Sequence, residues 1–206
     1  MLRRNRIAIA SGAVLVAGAC IVGVRVGSAQ QRGDVSGAVT STSARLLANT
    51  VVSVQHASGT FHAPHDPVAL DQRGLQFVPR VLPIVAGTSV RFRNSDTVDH
   101  NVYSPEGSYD LGAWSHGAQR DHAFPTVGVF TQLCHLHPAM VAFVVVLQNP
   151  YFAVTDAQGH FQIHGVPPGS YQLVAWGEHA RGGPVAVTVT AAGAANVQIP
   201  LTRHHG

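Results

Sequence analysis

The chain contains no lysine: all thirteen basic residues are arginine, against ten acids, and charged residues make up only 11% of its 206 positions. Four arginines, Arg3, Arg4, Arg6 and Arg25, stand in the first 29 residues with no acid among them, so without that stretch the net charge of +3 becomes −1. A basic face for nucleic acid is therefore excluded, and so is strong electrostatic steering of a partner. Cysteine is almost as scarce. Of two, Cys20 lies in the N-terminal stretch and Cys134 is the other. An internal disulfide in the remainder is thus excluded, and the Cys134 thiol is left free to bind a metal. No serine stands in a Gly-x-Ser-x-Gly setting, the acids are scattered, and no glycine-rich phosphate loop occurs, so neither a hydrolase nor a nucleotide site is outlined. Long amphipathic helical periodicity is missing too. What is plentiful is valine, glycine and proline, and that balance predicts an all-β protein.

Residues 1–29 have a basic start, an apolar run from Ile7 to Val24 and a small-residue exit at Gly27-Ser28-Ala29. This is the pattern of a secretory signal peptide. An uncleaved membrane anchor is the alternative, since the apolar run is close to the minimum for a span. Both readings place the rest of the chain outside the cytoplasm, in the periplasm or an equivalent compartment, with membrane contact only if the segment is retained.

Residues 134–140 read Cys-His-Leu-His-Pro-Ala-Met. The spacing Cys-x2-His-x2-Met lets one loop offer a thiolate, an imidazole and a thioether. That soft-leaning set suits copper better than magnesium or calcium. A fourth ligand has to come from elsewhere, and His100, in Asp99-His100-Asn101-Val102, is the best candidate. Two His and one Cys in a trigonal set with a weak axial Met form the ligand pattern of a blue-copper electron-transfer site. The blander reading makes Cys134 a buried core thiol beside surface histidines. His56, His62, His65, His116 and His122 lack metal-site spacing and are expected to be solvated loop residues. His135 could compete inside the loop, but the Cys-x2-His spacing favours His137.

The upstream His-Asn, followed by Gly-x-Phe-x-x-x-Cys-x-x-His-Pro-x-Met, resembles the cupredoxins, and the short loop is most similar to the amicyanin type. The resemblance covers roughly residues 75–148 and implies a Greek-key β-sandwich holding one type 1 copper per chain. It implies His100, Cys134 and His137 as equatorial ligands and Met140 as the long axial one. Asn101 would hydrogen-bond the thiolate loop. Leu136, Pro138 and Ala139 would form an apolar electron port around His137 where a redox protein docks. Such a protein carries electrons and turns over no substrate. A copper-binding or copper-delivery protein without a dedicated redox partner is the alternative.

Beyond residue 150, Thr155-Asp156-Ala157-Gln158-Gly159-His160-Phe161 and Pro167-Pro168-Gly169-Ser170-Tyr171 set turns between short strands, the signature of a small β-sandwich. These motifs resemble carboxypeptidase-regulatory-like, transthyretin-like domains of Ig-like build. The Gly-x-Val opening of such domains occurs far upstream, at Gly37-Ala38-Val39, with Thr50 to Val54 as a valine-rich second strand. The expected organisation is therefore one sandwich from residues 33–57 and 150–202, with a cupredoxin of residues 68–148 inserted; two tandem domains are the alternative. The combination is similar to plastocyanin-like proteins associated with methylamine utilisation. Those often depart from the copper set near the Met position, whereas this chain keeps Met140. Residues 104–123 are expected to be long, polar and irregular.

Overall fold

The computed structural model describes residues 32–204, and the proposed signal segment lies outside them. Sixteen strands and one 3-10 turn (Ala44–Leu46) account for the regular structure. In chain order they are β1 (Gly33–Thr40), β2 (Val51–Gln55), β3 (Val68–Gln72), β4 (Phe77–Val78), β5 (Val81–Val85) and β6 (Thr88–Asn94). Next come β7 (His100–Ser104), β8 (Tyr109–Trp114), β9 (Gln119–Phe124), β10 (Gly128–Leu133) and β11 (Val141–Leu147). The last five are β12 (Phe152–Val154), β13 (His160–Val166), β14 (Gly169–Gly177), β15 (Ala180–Val189) and β16 (Ala194–Arg203). No helix among the described residues is long and apolar enough to cross a membrane.

Two sheets, β5-β11-β10-β7-β8 and β4-β3-β6-β9, pack as a Greek-key sandwich. Alternation makes the layers. In β6, Val90 and Phe92 are buried while Arg91 and Arg93 face outward, the period of two that a half-covered strand requires. Leu70, Val90, Phe92, Val102, Phe124 and Val144 meet between the sheets, and Cys134 and Met140 belong to the same core.

The remaining seven strands form a sheet ordered β12-β2-β14-β15-β16-β1-β13. Its two edges, β12 and β13, approach each other, so the sheet folds over its own core of Val35, Val52, Val54, Ile163, Leu173 and Ile199. β1 pairs with β13 and β16, and β2 pairs with β12 and β14. Strands before residue 57 and after residue 150 thus share one sheet.

A third apolar cluster joins the sandwich to the folded-over sheet: Val51 of β2, Val81 of β5, and Phe143 and Val145 of β11, with Trp176 against them. This seam explains why Val141 to Leu147 is apolar without alternation. Ala142, Val144 and Val146 point into the sandwich core, whereas Phe143 and Val145 point into the seam. A strand covered on both faces reads as a continuous hydrophobic run.

Two expectations are overturned, the first being that His122 is a solvated loop residue: it is half-buried in β9 with its ring centroid 3.8 Å from that of Tyr109. The second is that residues 104–123 are irregular: they carry β8 and most of β9. Both are edge strands with mostly exposed or half-buried residues. Such strands need no apolar alternation, so their sequence gives no periodic signal.

Candidate metal centre

β10 and β11 form an antiparallel pair in which Leu133 faces Val141, and residues 134–140 close it as a loop. β7 runs antiparallel beside β10 with Tyr103 opposite Leu133. Extending that register places His100 level with Leu136, inside the loop rather than beside the strand. Sheet register therefore brings a residue more than thirty positions upstream against Cys134 and His137.

The described residues contain one group of His, Cys, Asp or Glu side chains with metal-binding geometry: His100, Cys134 and His137, whose ligand atoms all lie within 4.8 Å of one another. Nδ1 of His100 is 3.0 Å from Nδ1 of His137, and Sγ of Cys134 is 3.9 Å from the same His137 nitrogen. A metal about 2.0 Å from each nitrogen and about 2.3 Å from sulfur needs donor–donor edges of about 3.3–3.8 Å. The two separations bracket that range, so the donors fit one small metal ion. His100 and Cys134 are 0% and 2% exposed, and His137 is half-buried.

The surroundings decide which nitrogen faces the metal. Asp96 Oδ2 lies 2.8 Å from Nε2 of His100 and also accepts the Leu75 amide at 2.9 Å, while Oδ1 accepts the Gly74 amide at 2.6 Å. A carboxylate that takes the Nε2–H fixes the imidazole tautomer, orients the ring and leaves the Nδ1 lone pair for a metal. Burial opposes ionisation of Asp96, yet the Leu75 amide, His100 and the Gly74 amide together hold its carboxyl below the usual range. A second anchor runs through Asn101. Its Oδ1 accepts the backbone N–H of His135 at 2.8 Å, its Nδ2 donates to Asp110 at 2.7 Å, and its carbonyl accepts from Gln72 Nε2 at 3.1 Å. Asn101 therefore ties β7 to the residue after Cys134.

His135 points away from the cluster. Its ring stacks on Tyr103 with centroids 3.7 Å apart and planes 5° apart, and its Nε2 meets Asp110 at 3.2 Å. Nor do His56, His62, His65, His116 or His122 join the cluster. Met140, 1% exposed, lies in the same core as Cys134, and its amide donates to the His137 carbonyl at 2.9 Å. Leu136 is 50% exposed, and Pro138 and Ala139 are exposed beside it. Sequence reasoning missed Asp96, Asp110 and Gln72. For Gln72 a signal existed: it shares the inward face of β3 with Leu70, and a polar residue at an inward position calls for a buried partner.

A family model described as Polysaccharide lyase family 4, domain II matches residues 134–197, fewer than half of the chain. No curated protein matches. Among solved structures, a copper-containing nitrite reductase from Thermus scotoductus SA-01 is similar at 25% identity with a TM-score of 0.39, over 44% of this chain and 24% of its own. This chain thus spans about a quarter of that reductase. A purple cupredoxin from Nitrosopumilus maritimus is similar at 26% identity with a TM-score of 0.36, over 39% of this chain and 99% of its own. A reduced Cu(I) form of an amicyanin variant is similar at 18% identity with a TM-score of 0.38, over 47% of this chain and 98% of its own. By its own topology, the β3–β11 module is a Greek-key sandwich with a His–Cys–His cluster at one end.

Proposed function

We propose that this protein is an exported type 1 copper protein that passes one electron at a time and is not an enzyme. The observation that carries this reading is the convergence of His100 Nδ1, His137 Nδ1 and Cys134 Sγ at a buried strand end, with the His100 tautomer already set by Asp96. Copper held there would supply the Cu(II)/Cu(I) couple. His100, Cys134 and His137 would hold the copper in this reading, with Met140 as a weaker thioether donor. The chain's own part is to hold the donors still and dry. The strands that carry them are neighbours in one sheet packed against the other, Asn101 fixes the loop at His135, and the burial of His100, Cys134 and Met140 limits water at the donors. A scaffold that does not reorganise favours fast exchange. The exposed apolar rim of Leu136, Pro138 and Ala139 around half-buried His137 supports its role as the electron port for a redox protein. The β3–β11 module is read as carried between two segments of a carboxypeptidase-regulatory-like, transthyretin-like domain. The support for export is the N-terminal sequence pattern.

The test is Cu(II) addition to the chain from residue 30 onward, beside a Cys134→Ser variant. An intense visible thiolate-to-copper band in the wild type alone, with one copper bound, is expected. A colourless wild type that holds stoichiometric Cu(I) and stays colourless with an oxidant would indicate copper delivery instead. No band and no bound copper would refute the metal reading.

A further inference from the structure

The folded-over sheet has no part in the ligand set, yet one of its turns reaches the strand that leaves the ligand loop. Glu178 lies in the turn between β14 and β15. Both of its carboxylate oxygens accept from the Arg80 guanidinium: Nη2 donates to Oε1 at 2.9 Å and to Oε2 at 2.8 Å, and Nε donates to Oε2 at 3.1 Å. A planar guanidinium engaged along one edge has its remaining nitrogen aimed in a fixed direction. That nitrogen, Nη1, donates to the carbonyl of Val141 at 3.1 Å.

The position of Val141 gives this bond its meaning. β5 begins at Val81 and runs parallel to β11 from the pair Phe143–Val81 onward, so Val141 lies beyond the start of that ladder. The Arg80 carbonyl accepts the Phe143 amide at 2.9 Å, and the Arg80 side chain then takes the Val141 carbonyl. One residue, through backbone and side chain together, thus continues the β5 edge alongside β11 as far as the residue after Met140. Arg80, Ala139 and Met140 line one surface cavity, so Arg80 sits beside the Met140 end of the loop. Phe143 meets Trp176 of β14 edge-on at 5.3 Å and so fixes the seam just behind this clamp.

We infer that Glu178 is a positioning residue for the metal centre: through Arg80 and the Val141 carbonyl, the folded-over sheet fixes where the Met140 side of the ligand loop sits. The inference rests on the copper reading above and assigns the second sheet a role in that site. The pair is partly exposed, and pairs of that kind contribute little to stability. Glu178→Ala therefore leaves folding intact while freeing Arg80 to leave Val141.

Glu178→Ala is expected to keep its thiolate-to-copper absorption but with altered relative band intensities. It is also expected to lose copper to a chelator faster than wild type, by up to about tenfold, the low end of what removing a direct partner of a metal ligand costs in affinity. A charge-swapped Arg80→Glu/Glu178→Arg double variant separates the clamp from the ion pair. It restores attraction across the seam but gives Val141 no donor from position 80, so its spectrum should stay altered. Wild-type spectra and copper-loss rates in Glu178→Ala, or full recovery of both in the swap, would overturn the inference. Amide resonances of the metal-free protein decide it independently of copper. Glu178→Ala should move those of Met140, Val141 and Phe143, and unmoved resonances would overturn the inference even if the wild type proved colourless. A colourless wild type with the resonances moved would sink only the copper reading.

Discussion

Asp96 offers the sharpest test of how the centre is built. Its carboxylate takes the Nε2–H of His100 and the amides of Gly74 and Leu75. In Asp96→Ala the two amides lie in an exposed turn, where water replaces the lost acceptor at little cost. His100 is 0% exposed, so its N–H is left without a partner, at about 1–3 kcal/mol for a buried unsatisfied donor. For a chain of this size 1 kcal/mol moves the melting temperature by about 2–4 °C, so the metal-free variant should melt roughly 2–12 °C below wild type. Copper affinity should fall about 10- to 100-fold, because the ring is no longer held with Nδ1 forward. Thermal unfolding by circular dichroism and competition with a chelator measure the two effects. Asp96→Asn separates charge from geometry. With its side-chain oxygen turned to His100 and Leu75, only the exposed Gly74 amide loses its acceptor, so most of the stability should remain. An Asp96→Ala variant that matches wild type in melting temperature and copper affinity would refute this account. So would a metal-free His100 carrying its proton on Nδ1 by nitrogen NMR.

His135→Ala should retain the visible band, because the His135 ring stacks on Tyr103 and is turned to Asp110 rather than the cluster; loss of the band on copper titration would show that His135 is a ligand after all. Gly37→Ala should destabilise the folded-over sheet by about 1–3 kcal/mol, since the added Cβ collides with the Val197 carbonyl on the paired strand; urea unfolding reads the loss. Asp34 is held below its ordinary carboxyl value by the Gly165 amide, then by His164 and Gln162. A lowered folded-state value means that its contribution is fully present above about pH 4 and is lost as pH falls through that lower value. Asp34→Asn should therefore flatten the fall in stability on acidification below pH 4, as followed by urea unfolding at stepped pH.

Strand content and the Cys134–Met140 loop were legible because they are local properties. Val90 and Phe92 alternate with Arg91 and Arg93 under any tertiary arrangement that covers one face. Cys134, His137 and Met140 are close in space because they are close in sequence. β8 and β9 were not legible, since edge strands owe their place to hydrogen bonding with β7 and β6 rather than to a buried face. The long apolar run of β11 was legible as a buried strand, but nothing in it announced two different covers. Only the seam with Val51 and Trp176 explains Phe143 and Val145.

The sequence by itself determined that the chain is β-rich, that Cys134 stands without a disulfide partner beyond the N-terminal stretch, and that His137 and Met140 share its loop. Composition and short-range spacing suffice for those statements. The tertiary structure alone decided that Asp96 holds the far side of His100, that Asn101 grips the loop at His135, and that Glu178 is linked through Arg80 to the Val141 carbonyl beside Met140. Each of these contacts depends on strand register or on the packing of one sheet against another, and those are set by the burial of the whole core rather than by any neighbourhood in the chain.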